Sequence, residues 1–176
     1  MFDETLYLIE MSRLLRDAAD ALRRDHRDLV VYSVSIWTDP NAAVSAVSVD
    51  TKENSDAKLT ALKTWAYARQ AEALAAGDPE MAVLLGTFPP RNRNPADFAL
   101  RELARVDHRA FSPNWEAGTR GDCWQELRPA LQKIRSAALE LFGSLPLHAE
   151  AELAVNSSTE WYDTPSPLIP HEQPGT

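Results

Sequence analysis

Glu150 and Glu152 stand two apart in "AEAELAV", residues 149–155. In an extended chain such neighbours share a face, so the two carboxylates point the same way, as a general acid–base pair requires. The alternation of Ala149, Ala151, Leu153 and Val155 with Glu150, Glu152 and Ala154 also describes a plain strand with one solvated face. There the charges would guard an edge. The histidines that might join them, His26, His108, His148 and His171, lie far apart in sequence. None stands at metal-ligand spacing from another or from Cys123. HExxH, paired CxxC, GxSxG, GxGxxG and GxxxxGK[ST] are all missing from the chain. Cys123 follows Asp122, whose charge opposes a thiolate. The expectation is no metal, no cofactor and no nucleophile of a standard kind. Chemistry would need a site assembled from dispersed polar groups, with Glu150, Glu152 and a histidine as candidates.

Other polar groups suit contact better than catalysis. Asp50 and Glu53 close the stretch "VVYSVSIWTDPNAAVSAVSVDTKEN", Val30 to Asn54. Trp115 and Trp161 sit beside glutamates in "SPNWEAG" and "STEWYD". Tryptophan next to an acid in a loop suits a protein interface and suits anchoring onto a core equally well. Trp37, Trp65 and Trp124 fall in regular elements and read as core.

These groups must be held by helices and strands. Asp3 can cap a helix whose stripe is Leu8, Met11, Leu15, Ala18 and Leu22, ending at "RRDHRD". Val30, Tyr32, Val34 and Ile36 alternate with Val31, Ser33, Ser35 and Trp37. "TDPNA" then turns the chain into a second alternating run, Ala43 to Val49. One face of this hairpin is apolar and the other carries serines, as though a helix packed closely there. Asn54 or Ser55 can cap a second helix that stops at Gly77. Met81 to Leu85 fits a strand or a helical turn. Asn94 followed by Pro95 and Asp97 predicts another helix over "RNRNPADFALRELARV". Leu127, Leu131, Ile134, Ala138 and Leu141 predict a last helix to Gly143, in conflict with Pro129. The reading is a single α+β domain over 1–162. It has a small antiparallel sheet, hairpin 29–50 plus a strand near 149–156, covered by amphipathic helices. A Pro-rich flexible tail occupies 163–176.

The totals bound the function. A chain of 176 residues, 44% hydrophobic and 25% charged, is that of one globular domain. The net charge of −8 repels nucleic acid and anionic membranes and favours basic partners. A single cysteine fits a reducing compartment, the acidic start "MFDETLYLIEMSRLLRD" is unlike a signal peptide, and no apolar run is membrane-length. A cytoplasmic protein is expected.

Read together, the first helix, the hairpin stretch, "DTKE" at 50–53, "FSPNWE" at 111–116 and the last helix resemble the bacterial domain of unknown function 4303 family. Asp39 stands where its first strand ends. Asp50 replaces an asparagine, Phe111 replaces a tryptophan, and Trp115–Glu116 reverses the usual order. The resemblance covers roughly residues 1–160. It implies a protein associated with polymorphic-toxin immunity loci, which would neutralise a toxin by covering its active site. The expectation is therefore a non-catalytic binding protein whose partner is a protein, a basic toxin in the sharpest form. The expected contacts are Asp39, Asp50, Glu53, Trp115 and Glu116, with tryptophan as anchor and carboxylates meeting Lys or Arg. A dispersed-site enzyme and an assembly subunit are the alternatives, and the oligomeric state is left open.

Overall fold

A computed structural model describes residues 2–38, 43–109, 122–156, 162 and 165–169, leaving aside the side chains of 122–126. Helix α1 spans Glu4–Asp25 and strands β1 and β2 span Val31–Thr38 and Val44–Asp50. Helices α2 and α3 span Lys52–Ala75 and Pro79–Leu85, and β3 is Leu100–Asp107. Helix α4 is Asp122–Phe142, β4 is Leu147–Val155 and β5 is Ser166–Pro167. The fold is α+β, built on one mixed sheet in the order β3-β2-β1-β4-β5.

The Asp3 cap forms as expected, its carboxylate accepting from Leu6 N at 3.0 Å. Tyr7, Met11, Leu14, Leu15, Ala18, Ala19 and Leu22 then lie buried on the inner face of α1. They meet Leu127, Leu131, Ile134 and Phe142 of α4 over Val34, Ile36, Val47, Val49, Leu153 and Val155 of the sheet. Burial of these side chains is the main stabilising term, roughly 1.5–3 kcal/mol for each large one. Helix α4 runs through Pro129 without a break, at the loss of one backbone hydrogen bond.

The hairpin is present, with Ser33 opposite Asp50 and Thr38 opposite Ser45. Two departures from the expected sheet matter. Strand β4 pairs with β1 in parallel, Ser33 opposite Glu152 and Ile36 opposite Val155, so the sheet is mixed and not wholly antiparallel. The helix expected after Asn94 is a single 3-10 turn, Pro95–Asp97, followed by strand β3 along the free edge of β2. Asn94 does cap that turn, accepting from Ala96 N at 3.2 Å. Helix propensity amounts to tenths of a kcal/mol per residue, and pairing the backbone of β2 outweighs it. Of the two states open to Met81 to Leu85, strand or helical turn, the chain takes the helix, α3, capped by Asp78 through Met81 N.

Helix α2 is capped by Thr51, whose hydroxyl accepts from Asn54 N at 3.2 Å. Asn54 and Ser55, the sequence candidates, are spent on tertiary contacts instead. Gly77 ends the helix with φ +78°, a left-handed geometry that other residues resist. Helix α2 packs chiefly on α3 and meets the sheet at β1. The serine face of the hairpin is met by the loop after α3, whose Arg91 donates to Ser33 Oγ. Arg91, Asn92, Phe98, Leu145, Asn156, Tyr162 and Leu168 are the buried residues described outside the helices and strands.

Candidate functional site

Arg91 ties the loop after α3 onto that serine face. Its Nε lies 3.2 Å from Glu152 Oε1, and its terminal nitrogens donate to Tyr32 O, Ser33 Oγ and Glu150 O. The guanidinium also lies 4.2 Å from the centre of the Tyr32 ring. Tyr162 donates its hydroxyl to the same Glu152 oxygen at 2.7 Å, and burial with this bond raises its pKa. Glu152 is therefore committed to a buried ion pair, while Glu150 faces solvent. The two carboxylates expected to work together do not share a cleft. The nearest histidine, His148, accepts from Glu150 N through Nδ1 and packs edge-on against Tyr32.

Asp50, one of the expected contacts, is fully buried. Its Oδ1 accepts from Asn54 Nδ2 at 2.7 Å and Ala99 N at 3.0 Å. Oδ2 has no hydrogen-bond partner, nor has Asn92 Nδ2 nearby. Burial raises the carboxyl above its ordinary value, and the hydrogen bonds from Ala99 and Asn54 recover only part of the shift. Glu53 is exposed on the first turn of α2. Asp39, Trp115 and Glu116 lie outside the described residues, as does most of the expected tail.

A polar chain that the sequence did not suggest runs under α1. Ser45 Oγ lies 2.7 Å from His108 Nε2, and His108 Nδ1 lies 3.0 Å from Glu10 Oε2. Thr38 Oγ1 is 2.7 Å from Ser45 Oγ, and the Tyr7 ring rests 4.8 Å from the His108 ring. Burial pushes the Tyr7 hydroxyl up to about 12. Serine, histidine and carboxylate at these distances have the connectivity of an acyl-transfer triad. A nucleophile must also meet its substrate, and here the Ser45 residue and the His108 side chain are both 0% exposed. Residues 10, 45 and 108 carry no spacing signal; only the fold brings them together.

Among the described residues, no group of three His, Cys, Asp or Glu is arranged to hold a metal. No helix of the described residues is long and apolar enough to cross a membrane. A cleft of about 640 Å³ opens beside the β3 edge, between Trp37, Ser48, Asn94, Arg101 and Glu102.

The most unusual surface belongs to α2 and α3. Their mutual seam holds small groups, with Ala66 and Ala82 buried and Gln70 Nε2 donating to Ala82 O at 2.8 Å. The large side chains face outward: Trp65, expected in the core, is 54% exposed, and Val83 and Leu84 are each 69% exposed. Leu62, Tyr67, Leu74 and Met81 join them. Of the ten exposed large hydrophobics described, seven are on these two helices. The helical pair is apolar on its outside. Aromatic contacts at one end, Tyr67 on Phe88 at 5.6 Å with Lys63 over the same ring, fasten the returning chain to α2.

No known protein family matches the chain, and no curated protein or solved structure is similar to it.

Proposed function

We propose that this protein acts by stoichiometric contact and makes or breaks no covalent bond, with the α2–α3 arm as its working surface. The concentration of large exposed apolar side chains on that arm carries the reading, since a folded monomer rarely exposes such a surface without a use for it. The groups best suited to chemistry support it from the other side. Glu152 is neutralised by Arg91, and Ser45 is sealed from solvent. In its specific form, which the resemblance implies, the proposal is a cytosolic immunity protein that covers a toxin's active site. The acidic chain would steer toward a basic toxin.

The test is co-purification with the protein encoded beside it, repeated with Trp65→Glu. Retention by the natural chain and loss by the variant, at equal melting temperature, supports contact through the arm. Retention by both variants moves the contact elsewhere.

A second reading, a hydrolase, has one specific observation in its favour: the spacing of Ser45, His108 and Glu10. A fluorophosphonate probe distinguishes the two. Labelling of Ser45, lost in His108→Ala, would replace the first reading with the second.

A further inference from the structure

Resting on that reading, we propose that the arm's occupant is a second copy of this chain, packed as an antiparallel α2–α2 pair about a two-fold axis. A pair of helices normally hides its large side chains between them. Here the seam is alanine and the large groups line the outside, so this pair is stabilised little by its own contact and leaves its main apolar area unburied.

The trough on one flank shows what fits. Trp65, Arg69 and Glu72 follow one another along α2 toward its C-cap, Ala76, with Met81 and Leu85 of α3 as the far wall. Its volume is about 420 Å³, and it is shallow enough to take side chains from another helix but not a buried small molecule. The sequence along this stripe is self-complementary when reversed. With the axis level with residues 70 and 71, Trp65 of one copy lies over Ala76 of the other, and Arg69 lies opposite Glu72. The large residue meets the small one and the cation meets the carboxylate, twice each. Eleven residues separate Trp65 from Ala76, about 16 Å of helix, enough for three turns of contact. An isologous interface requires this property, because one patch must fit itself.

Charge selects the same occupant. Residues 52–85 contain Lys52, Lys58, Lys63 and Arg69 against Glu53, Asp56, Glu72, Asp78 and Glu80, so the arm carries −1 of the chain's −8. Lys52 is paired with Asp56, Lys58 with Asp97 and Arg69 with Glu72. Two copies would repel through most of their surface, and the arm is where they meet at near-neutral charge. A basic partner finds no acidic field here. It would have to displace the second copy from the same surface.

Sedimentation equilibrium of the full chain over a wide concentration range tests this. The expected mass rises from 19.6 kDa to twice that value. Trp65→Glu and, independently, Met81→Glu should hold the chain monomeric throughout with unchanged thermal unfolding. Arg69→Glu or Glu72→Arg alone should raise the dimer dissociation constant tenfold or more, and the double exchange should restore it. A natural chain that stays monomeric at every concentration overturns the proposal. So does a dimer indifferent to both Trp65→Glu and Met81→Glu. A monomer that still loses its neighbour-encoded partner on Trp65→Glu would sink the dimer and leave the contact function standing.

Discussion

Arg91 and Glu152 form an ion pair at 3.2 Å inside the protein, their side chains 10% and 16% exposed. An arginine from an irregular loop thereby fixes the parallel strand β4 beside the hairpin, because the same guanidinium binds carbonyls of both β1 and β4. Tyr32 covers its face, and Tyr162 donates to the same Glu152 oxygen that Arg91 approaches.

Removing the cation should therefore cost more than an ordinary surface change. Arg91→Met leaves Glu152 buried without its charge partner and two strand carbonyls without donors, an expected loss of about 3–5 kcal/mol. Arg91→Lys should recover little, since one ammonium cannot serve the same fork of acceptors. Urea unfolding measures both. An Arg91→Met protein within 1 kcal/mol of the natural chain, roughly the margin of a surface pair, would show that the pair is idle.

Asp50 gives a pH prediction with a fixed sign. Its folded-state carboxyl titrates above the ordinary 3.8 because burial disfavours the charge. Between the unfolded and folded values the folded protein binds more protons, so stability falls as pH rises through that window. The charge then works against the fold at neutral pH. Asp50→Asn keeps the Oδ1 contacts to Asn54 and Ala99 and removes the buried charge. A rise in melting temperature of about 2–4 °C at neutral pH is expected, equivalent to about 1 kcal/mol. The difference should shrink in acid. A fall of several degrees would mean that the carboxylate is needed as an anion.

The two interior polar systems mark where sequence reasoning ran out. Alternation and caps gave α1, the hairpin and β4 because each is a local pattern: Asp3, the Val34–Ile36 face and the Leu153–Val155 face are each visible within a few residues. Strand β3 was hidden because Asn94–Pro95 starts a real helical turn, and only the unpaired edge of β2 stops it from continuing. Arg91 had no local pattern at all. Its sole trace was the run of serines on β1, which left room that the sequence reading assigned to a helix. Trp65 misled for the opposite reason. Its place on a long helix suggested core, but the buried residues of α2 are Ser55, Leu59 and Ala66.

Glu102 carries the one positive φ among the described non-glycine residues, +44°, at the irregular pairing of β3 with β2. Its backbone N donates to Ser48 Oγ at 3.1 Å, which fixes the distortion in place. Left-handed geometry costs a residue with a side chain about 1 kcal/mol that glycine avoids. The side chain is exposed, its nearest charge Arg105 at 3.5 Å. Glu102→Gly should then raise stability by roughly 0.5–1 kcal/mol net of the glycine's greater unfolded-state freedom. Thermal unfolding decides it, and a loss would mean that the carboxylate does more at the cleft than its contacts imply.

The Ser45–His108–Glu10 chain separates scaffold from chemistry most sharply. As scaffold it stabilises the join of α1 to β2 and β3, and each member loses a satisfied partner when another is removed. Ser45→Ala should then cost about 1–3 kcal/mol, the price of leaving a buried imidazole nitrogen unmet. His108→Phe should cost no less, because it takes one partner from Ser45 and one from Glu10 at once. Glu10→Gln, at the partly open end of the chain, should cost least, since an amide oxygen can still accept from Arg109 N. As chemistry the order changes. Ser45→Ala and His108→Phe would abolish an esterase activity that Glu10→Gln only weakens, with stability moving independently of rate. Unfolding measured beside hydrolysis of an activated ester on the same four proteins compares the two orders directly. Graded stability loss without turnover fits the sealed hydroxyl of Ser45, whereas turnover that tracks Ser45 and His108 would show that solvent and substrate reach a group enclosed in this structure.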